Sequence, residues 1–236
     1  MKVRIKFSKV GSMKFIGHLD MMRYFQKAIR RAEIDIAFSE GYSPHMIMSF
    51  ASPLGVGITS SGEYFDMELS SNISSKELVE RLNAVMVEEV KVLSACKIPE
   101  DKKNNAMALI AAADYTVTFR KGKEPCENWE NKVEDFYNQE QIMMLKKTKR
   151  SEKEVDIKPS IYGIFAEGGA VKMKVAAGSV HNLKPDLVME AFAKYLDAPL
   201  APFALCIHRD EMYANLGDET SRKLIPLDEL GEKMYE

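Results

Sequence analysis

The chain has 236 residues, 46% of them hydrophobic, with 33 Lys/Arg against 35 Asp/Glu and a formal net charge of −2. That length suits one large domain or two small ones with a buried core, and near-neutrality argues against a wholesale polyanion binder. No stretch approaches the roughly 20 apolar residues of a membrane span. Cys96, Cys126 and Cys206 are too far apart for a zinc pair or an iron–sulfur motif. The N-terminal "MKVRIKFSKV" alternates basic and apolar residues and lacks a signal peptide's continuous apolar core, so a cytoplasmic protein is expected.

Within residues 3–7, Val3, Ile5 and Phe7 point one way and Lys2, Arg4 and Lys6 the other, the alternation of a half-buried strand. From His18 to Glu33 the period becomes helical. Leu19, Met22, Phe25, Ile29 and Ala32 form an apolar stripe opposite Arg23, Lys27, Arg30 and Arg31. Asp20 in the first turn and arginines in the last follow the sense of the helix dipole.

"FSEGYSPHMIMSFASPLGVG" (38–57) mixes turn residues with an apolar run, which predicts a shaped loop, a strand near 46–50 and a Pro-Gly-Gly corner. Residues 62–70 read as a strand with Phe65, Met67 and Leu69 inward and Tyr64, Asp66 and Glu68 outward. Residues 74–86 read as a helix opened by a serine cap with Glu77 three residues on, and 90–98 as a strand.

The second half repeats the order: strand 115–120, helix 127–139, strand material around a charged bend at 142–165, strand 170–178, helix 184–196 with Pro in its first turn, strand 203–214. The expected fold class is therefore α+β, two tandem ferredoxin-like (β-α-β-β-α-β) units with antiparallel sheets. Unit boundaries are expected at 1–103 and 104–236, with 99–105 as linker and 215–236 as a polar C-terminal extension.

The stretch from residue 2 to 69 resembles the N-terminal signature of the radical-SAM-linked protein family, domains fused to or encoded beside a radical-SAM protein. The resemblance rests on Phe7, Ser8, Lys9, Gly11, Phe15, Gly17, His18, Leu19, Asp20, Arg23, Phe25, Ala28, Arg30, Arg31 and Ala32. It continues through Ser39, Gly41, Pro44, His45, Ser49, Phe50, Ala51, Pro53 and Leu54. Tyr42, Ser43, Met46 and Ile47 depart from the pattern, the last removing a lysine. "EVDIKPSI" (154–161) is similar to a family segment that more often has Arg at the place of Lys158. The resemblance implies a radical-SAM partner, often with a cobalamin-type domain. It also implies a gene setting near ribonuclease E/G and large-subunit ribosomal proteins, hence RNA or ribosome maturation.

Candidate binding residues are Lys14, His18, Asp20, Arg23, Lys27, Arg30 and Arg31 on the first helix and its approach, and Tyr42, Pro44 and His45 in the loop. A helix N-terminus beside Lys14 attracts anions, and a cationic helix face suits a phosphate backbone or an acidic partner. The bland alternatives are that His18 caps the helix, that the basic face is solvated and that Pro44 makes a turn. His45 has no second ligand at metal spacing, and no metal or cofactor is expected in this chain. Lys2, Arg4 and Lys6 are expected to pair across strands with Asp66 and Glu68 rather than to present a base-stacking platform. The basic stretch 146–158, six basic residues against three acidic, reads first as a solvated hairpin tip and second as a contact to RNA or a partner.

The expected role is a non-catalytic companion or substrate-binding subunit of a radical-SAM enzyme in RNA- or ribosome-related metabolism. The alternatives are an RNA-binding protein or a metal-independent endoribonuclease of tandem ferredoxin-like type. Only the last would make His18 catalytic, as general base.

Overall fold

Strand β1 (Lys2–Lys9) runs between two neighbours, Ile5 facing Phe65 of β3 (Thr59–Glu68) on one side and Ala95 of β4 (Val90–Lys97) on the other. It is antiparallel to both, and the fold is α+β. The computed structural model describes residues 1–147, 152–218 and 220–235. The chain divides into unit 1, Met1–Ala111 with Glu211–Glu236, and unit 2, Ala112–Asp210.

In unit 1 the remaining elements are α1 (His18–Arg31), β2 (Met48–Phe50) and α2 (Ser75–Ala84). β2 pairs with β3, Phe50 facing Phe65, so the strands lie in the order β4-β1-β3-β2. One sheet face packs against both helices. Phe25, Ile29, Leu78 and Leu82 are fully buried there, and Phe7, Phe25, Phe50 and Phe65 form one aromatic cluster with ring centroids 4.7–6.0 Å apart. The Ser74 hydroxyl accepts from the Glu77 N–H at 3.2 Å, the cap the sequence predicts. Arg81 of α2 donates to the carbonyls of Ala32 (2.8 Å) and Glu33 (2.6 Å), satisfying orphan acceptors at the end of α1.

The other face of the unit 1 sheet departs from the expected pattern. Arg4, Tyr64 and Asp66 do point away from the helices, but they are not exposed: Arg4 is 1% and Tyr64 1% accessible. Arg4 binds Asp66 with two nitrogens (2.8 and 3.0 Å) and also donates to the carbonyls of Asn104 and Leu227. The Ala106 N–H donates to the same carboxylate at 2.7 Å. Residues 99–105 are therefore no free linker. They pass through a short turn and lead into α3 (Ala106–Leu109), and both lie on this face.

Nor is the C-terminus a loose extension. β11 (Leu224–Pro226) pairs with the end of β10 (Leu205–Asn215), Leu227 is fully buried, and Lys97 and Glu232 exchange backbone hydrogen bonds at 2.8 and 2.9 Å. The boundary expected after residue 103 thus falls at 111, and residues 211–236 belong with unit 1. Elements supplied late in the chain close the early sheet, a relation that periodicity cannot display.

In unit 2, β5 (Ile110–Phe119), β8 (Ile161–Glu167), β9 (Ala170–Ala176) and β10 lie in the order β10-β5-β9-β8. α4 (Val133–Tyr137) and α5 (Pro185–Tyr195) supply Val133, Phe136, Val188 and Phe192 to its core, where Phe136 and Phe192 approach to 5.3 Å. The strand material around 142–165 resolves into β8 and a separate hairpin of β6 (Met143–Lys147) and β7 (Glu152–Asp156), Met144 facing Val155. The tip assigned to the basic stretch, residues 148–151, lies outside the described residues. Lys158 donates to the carbonyls of Tyr137 and Gln139 and sits 4.3 Å from the Tyr137 ring centre, holding the end of α4.

Candidate functional site

The site most of the predicted residues share is the N-terminal end of α1. The turn before it, Gly11–Phe15, is pinned by Glu89, which accepts from the Ser12 N–H and hydroxyl, both at 2.7 Å. Those hydrogen bonds hold the Glu89 carboxyl below its usual range. Gly11 has φ +57, a strained backbone for any other residue, and a Cβ there would fall 1.9 Å from Glu89 Oε1 and push that carboxylate off the turn. The Lys14 carbonyl accepts from the Gly57 N–H at 2.8 Å, tying the turn to the Pro-Gly-Gly corner. Lys9 Nζ donates to the Ile16 carbonyl at 2.6 Å.

This frame delivers His18 half-buried, its ring edge-on to Phe50 at 5.3 Å and 90°. The cap residue is Gly17, without a side-chain cap bond, so the capping role considered for His18 is not what the structure shows. His18 lines a small pocket with Phe7, Lys9, Met21, Phe50 and Glu63, of about 20 Å³. That volume admits about one water and no ribose or base. Lys9 and Glu63, both 3% accessible, are charged residues on the inward parity of their strands, Lys9 after Val3, Ile5 and Phe7 and Glu63 before Phe65, Met67 and Leu69, a break in the alternation that could have marked them.

Asp20, Arg23, Lys27, Arg30 and Arg31 are all exposed, as expected, and Asp20 pairs with Arg23 at 3.1 Å. Leu19 is not part of the buried stripe. It is 61% accessible, and at helical spacing it stands in line with Arg23, Lys27 and Arg30. Phe15, just before the helix, is 64% accessible, with Lys14 Nζ 5.2 Å from its ring centre.

The loop residues sit apart in role. Phe38 bridges Met46, and His45 is fixed by Ser39: Nδ1 lies 2.8 Å from the hydroxyl, which also accepts from the His45 N–H at 3.1 Å. His45 thus closes the base of the loop, Pro44 is exposed beside it, and Tyr42 at the tip is wholly exposed. Gly41 takes φ +105, the conformation the tip needs.

A second polar cluster lies on the covered face of unit 1. Lys6 Nζ reaches Glu211 at 2.5 Å and Asp228 at 3.5 Å, Tyr64 donates to both carboxylates, and Ser94 donates to Asp228 at 2.9 Å. Burial and the two carboxylates push the Tyr64 phenol far above its usual value. Burial alone would lower Lys6, but Glu211 and Asp228 raise it overall. Every group is satisfied within the cluster, as expected of a structural network. Among the described residues no group of three or more His, Cys, Asp and Glu side chains is placed to hold a metal ion, and no helix is long and apolar enough to cross a membrane.

The architecture is that of an α+β protein whose predicted residues gather on one helix and one loop. Residues 2–185 match the sequence model of the family described as "Uncharacterized protein conserved in bacteria (DUF2344)", and the chain belongs to that family. No curated protein matches the sequence. A solved chain from "Crystal Structure of a Cbf5-Nop10-Gar1 Complex" aligns with 89% of this chain at 9% identity and a TM-score of 0.48. This chain spans 48% of that one, and the likeness carries no argument about fold or role.

Proposed function

We propose that this protein is a non-catalytic, cytoplasmic companion of a radical-SAM enzyme in RNA- or ribosome-related metabolism, built as two ferredoxin-like units. The observation that carries the reading is the exposed row on α1: Leu19 in line with Arg23, Lys27 and Arg30, with Phe15 just ahead of it. Single exposed apolar residues are ordinary. Two large ones leading into a cationic ridge resemble an interface, apolar at its centre and charged at its rim. The row also lies in the segment where the family resemblance is densest. The frame beneath it, with Glu89 holding the turn and Phe50 holding His18, stiffens a surface, and the pocket at His18 is too small for a substrate. In this reading, cluster and S-adenosylmethionine chemistry belong to the partner.

The test is affinity purification of the tagged chain from its own cells, with radical-SAM proteins identified in the eluate. Recovery of one such enzyme, reduced about tenfold or more in a Phe15→Ser/Leu19→Asp double variant, is expected from the loss of an interface centre. Absence of any such enzyme from the wild-type eluate, with and without S-adenosylmethionine, overturns the reading.

A second reading, RNA held on the same ridge, draws on the exposure of Arg23, Arg30 and Arg31. It requires binding that falls steeply with salt and weakens when those arginines become alanine. The endoribonuclease alternative has less support, because the His18 pocket as formed takes a water and not a nucleotide.

A further inference from the structure

The sheet of unit 2 packs Tyr115, Ile164 and Met173 inward. Its opposite face carries a cleft of about 480 Å³, inside the usual range for small-ligand sites. Register places its side chains in two rows. Phe165 of β8 faces Lys172 of β9, which faces Thr116 of β5, whose hydroxyl donates to Asp210 at 2.8 Å. In the next row Gly163 faces Lys174, which faces Asp114 at 3.4 Å. Phe165 is 55% accessible.

Gly163 is the informative residue. A glycine inside a strand weakens it and marks either a bulge or a close approach. Its φ is not of the left-handed kind, and a Cβ built there would meet nothing within 4 Å. The register of β8 on β9 slips between Ile161 and Gly163, so the glycine stands at a bulge, and its missing side chain leaves open space beside an exposed ring. An apolar peptide would take the Lys172–Glu167 and Lys174–Asp114 pairs and the Asp210 carboxylate out of water and offer them no new partner. A nucleotide answers all of them, with a π-face for Phe165, a phosphate for the amines and an exocyclic amine for the carboxylates. Lys172 is held by Glu167 at 2.5 Å, but both are well exposed, and such pairs are weak enough to exchange for a phosphate.

We propose that this face binds a nucleobase bearing a phosphate, from a free nucleotide or from single-stranded RNA, stacked on Phe165 over the gap at Gly163. Carboxylate acceptors favour bases with an amino group, so cytosine and adenine bind better than uracil. The site shares no residue with the α1 ridge and does not rest on the reading proposed for it.

The full chain is titrated with CMP, AMP and UMP by calorimetry, and with labelled oligo(C) and oligo(U) by fluorescence anisotropy. Oligo(C) is expected to bind more tightly than oligo(U). Phe165→Ala weakens binding about fivefold to a hundredfold, the range for loss of one stacked base. Gly163→Val fills the gap and weakens it similarly, with melting by circular dichroism unchanged; if that variant fails to fold, Phe165→Ala decides alone. Binding of CMP assigns the site to free nucleotides, and binding of oligo(C) alone assigns it to single-stranded RNA; either supports the proposal. No binding of any of the five probes, oligo(U) equal to oligo(C), or indifference to Phe165→Ala overturns it.

Discussion

The two units differ most on the sheet face turned away from their helices. In unit 1 that face is sealed by α3 and the C-terminal segment, and its charged residues are locked to one another: Arg4 to Asp66, Lys6 and Tyr64 to Glu211 and Asp228. In unit 2 the corresponding face leaves Phe165 more than half exposed and Gly163 beside empty space. Similar strand orders thus serve opposite ends. A covered face can hold ionised groups only in fixed pairs, because a buried charge without its partner is costly. An open face can keep lysines in weak, exchangeable pairs.

The sharpest way to break this contrast is Asp66→Ala, which leaves Arg4 charged and 1% accessible. A loss of about 3–5 kcal/mol is expected, read as reduced hydrogen-exchange protection of β1 and β3. A loss below about 1 kcal/mol would mean that the cover does not depend on the pair.

Alkaline pH gives a graded test. Tyr64 and Cys96 keep their protons to higher pH in the folded state than in the unfolded chain, with burial pushing the Cys96 thiol up to about 11. Above their ordinary values the unfolded chain releases protons that the native state retains, so stability falls as pH rises, by up to about 1.4 kcal/mol per pH unit for each group. Lys6, raised by its carboxylates, stabilises below the ordinary amine value and loses that contribution as pH climbs through its folded one. Exchange protection of β1 and β4 should therefore decline from about pH 9 upward, and Cys96→Ala should flatten the first part of the decline. Equal decline across unit 2, whose shifted Lys172 and Glu167 are exposed, would erase the distinction.

The smallest effect is expected from Glu167→Gln. The melting temperature should stay where it is, because an exposed pair contributes little to folding, while oligo(C) binding tightens because Lys172 is released. Weaker binding would show that Lys172 does not meet the phosphate.

Much of the element order can be read from residues. The alternation of Val3, Ile5 and Phe7, the stripe through Phe25 and Ile29, the Ser74 cap and Pro185 at the start of α5 all appear where local periodicity and capping chemistry put them. Alternation, however, separates two faces without saying whether the second is wet. Arg4 and Asp66 look like solvent-facing charges because the cover over Arg4, Asn104 and Leu227, lies far along the chain. Leu19 misleads for the converse reason: it continues the apolar stripe on paper, yet the fold leaves it in solvent on the first turn of α1. Of the candidate site, the basic ridge and the loop tip are legible, since exposure of arginine and turn residues is the default. Of its frame, Lys9 and Glu63 show only as charges on the inward parity of their strands, and Glu89 does not show at all, because its partner Ser12 lies 77 residues back along the chain. Gly163 does leave a trace, as a glycine flanked by Tyr162 and Ile164 inside a strand.

Unit 1 is discontinuous, and Arg4 waits for a carbonyl 223 residues downstream. During translation the first-made sheet must therefore emerge with one side unfinished, while all of unit 2 is synthesised before the missing piece arrives. Order of manufacture and order of completion are reversed: the segment made second has every residue it needs first, and the segment made first is the last to be finished.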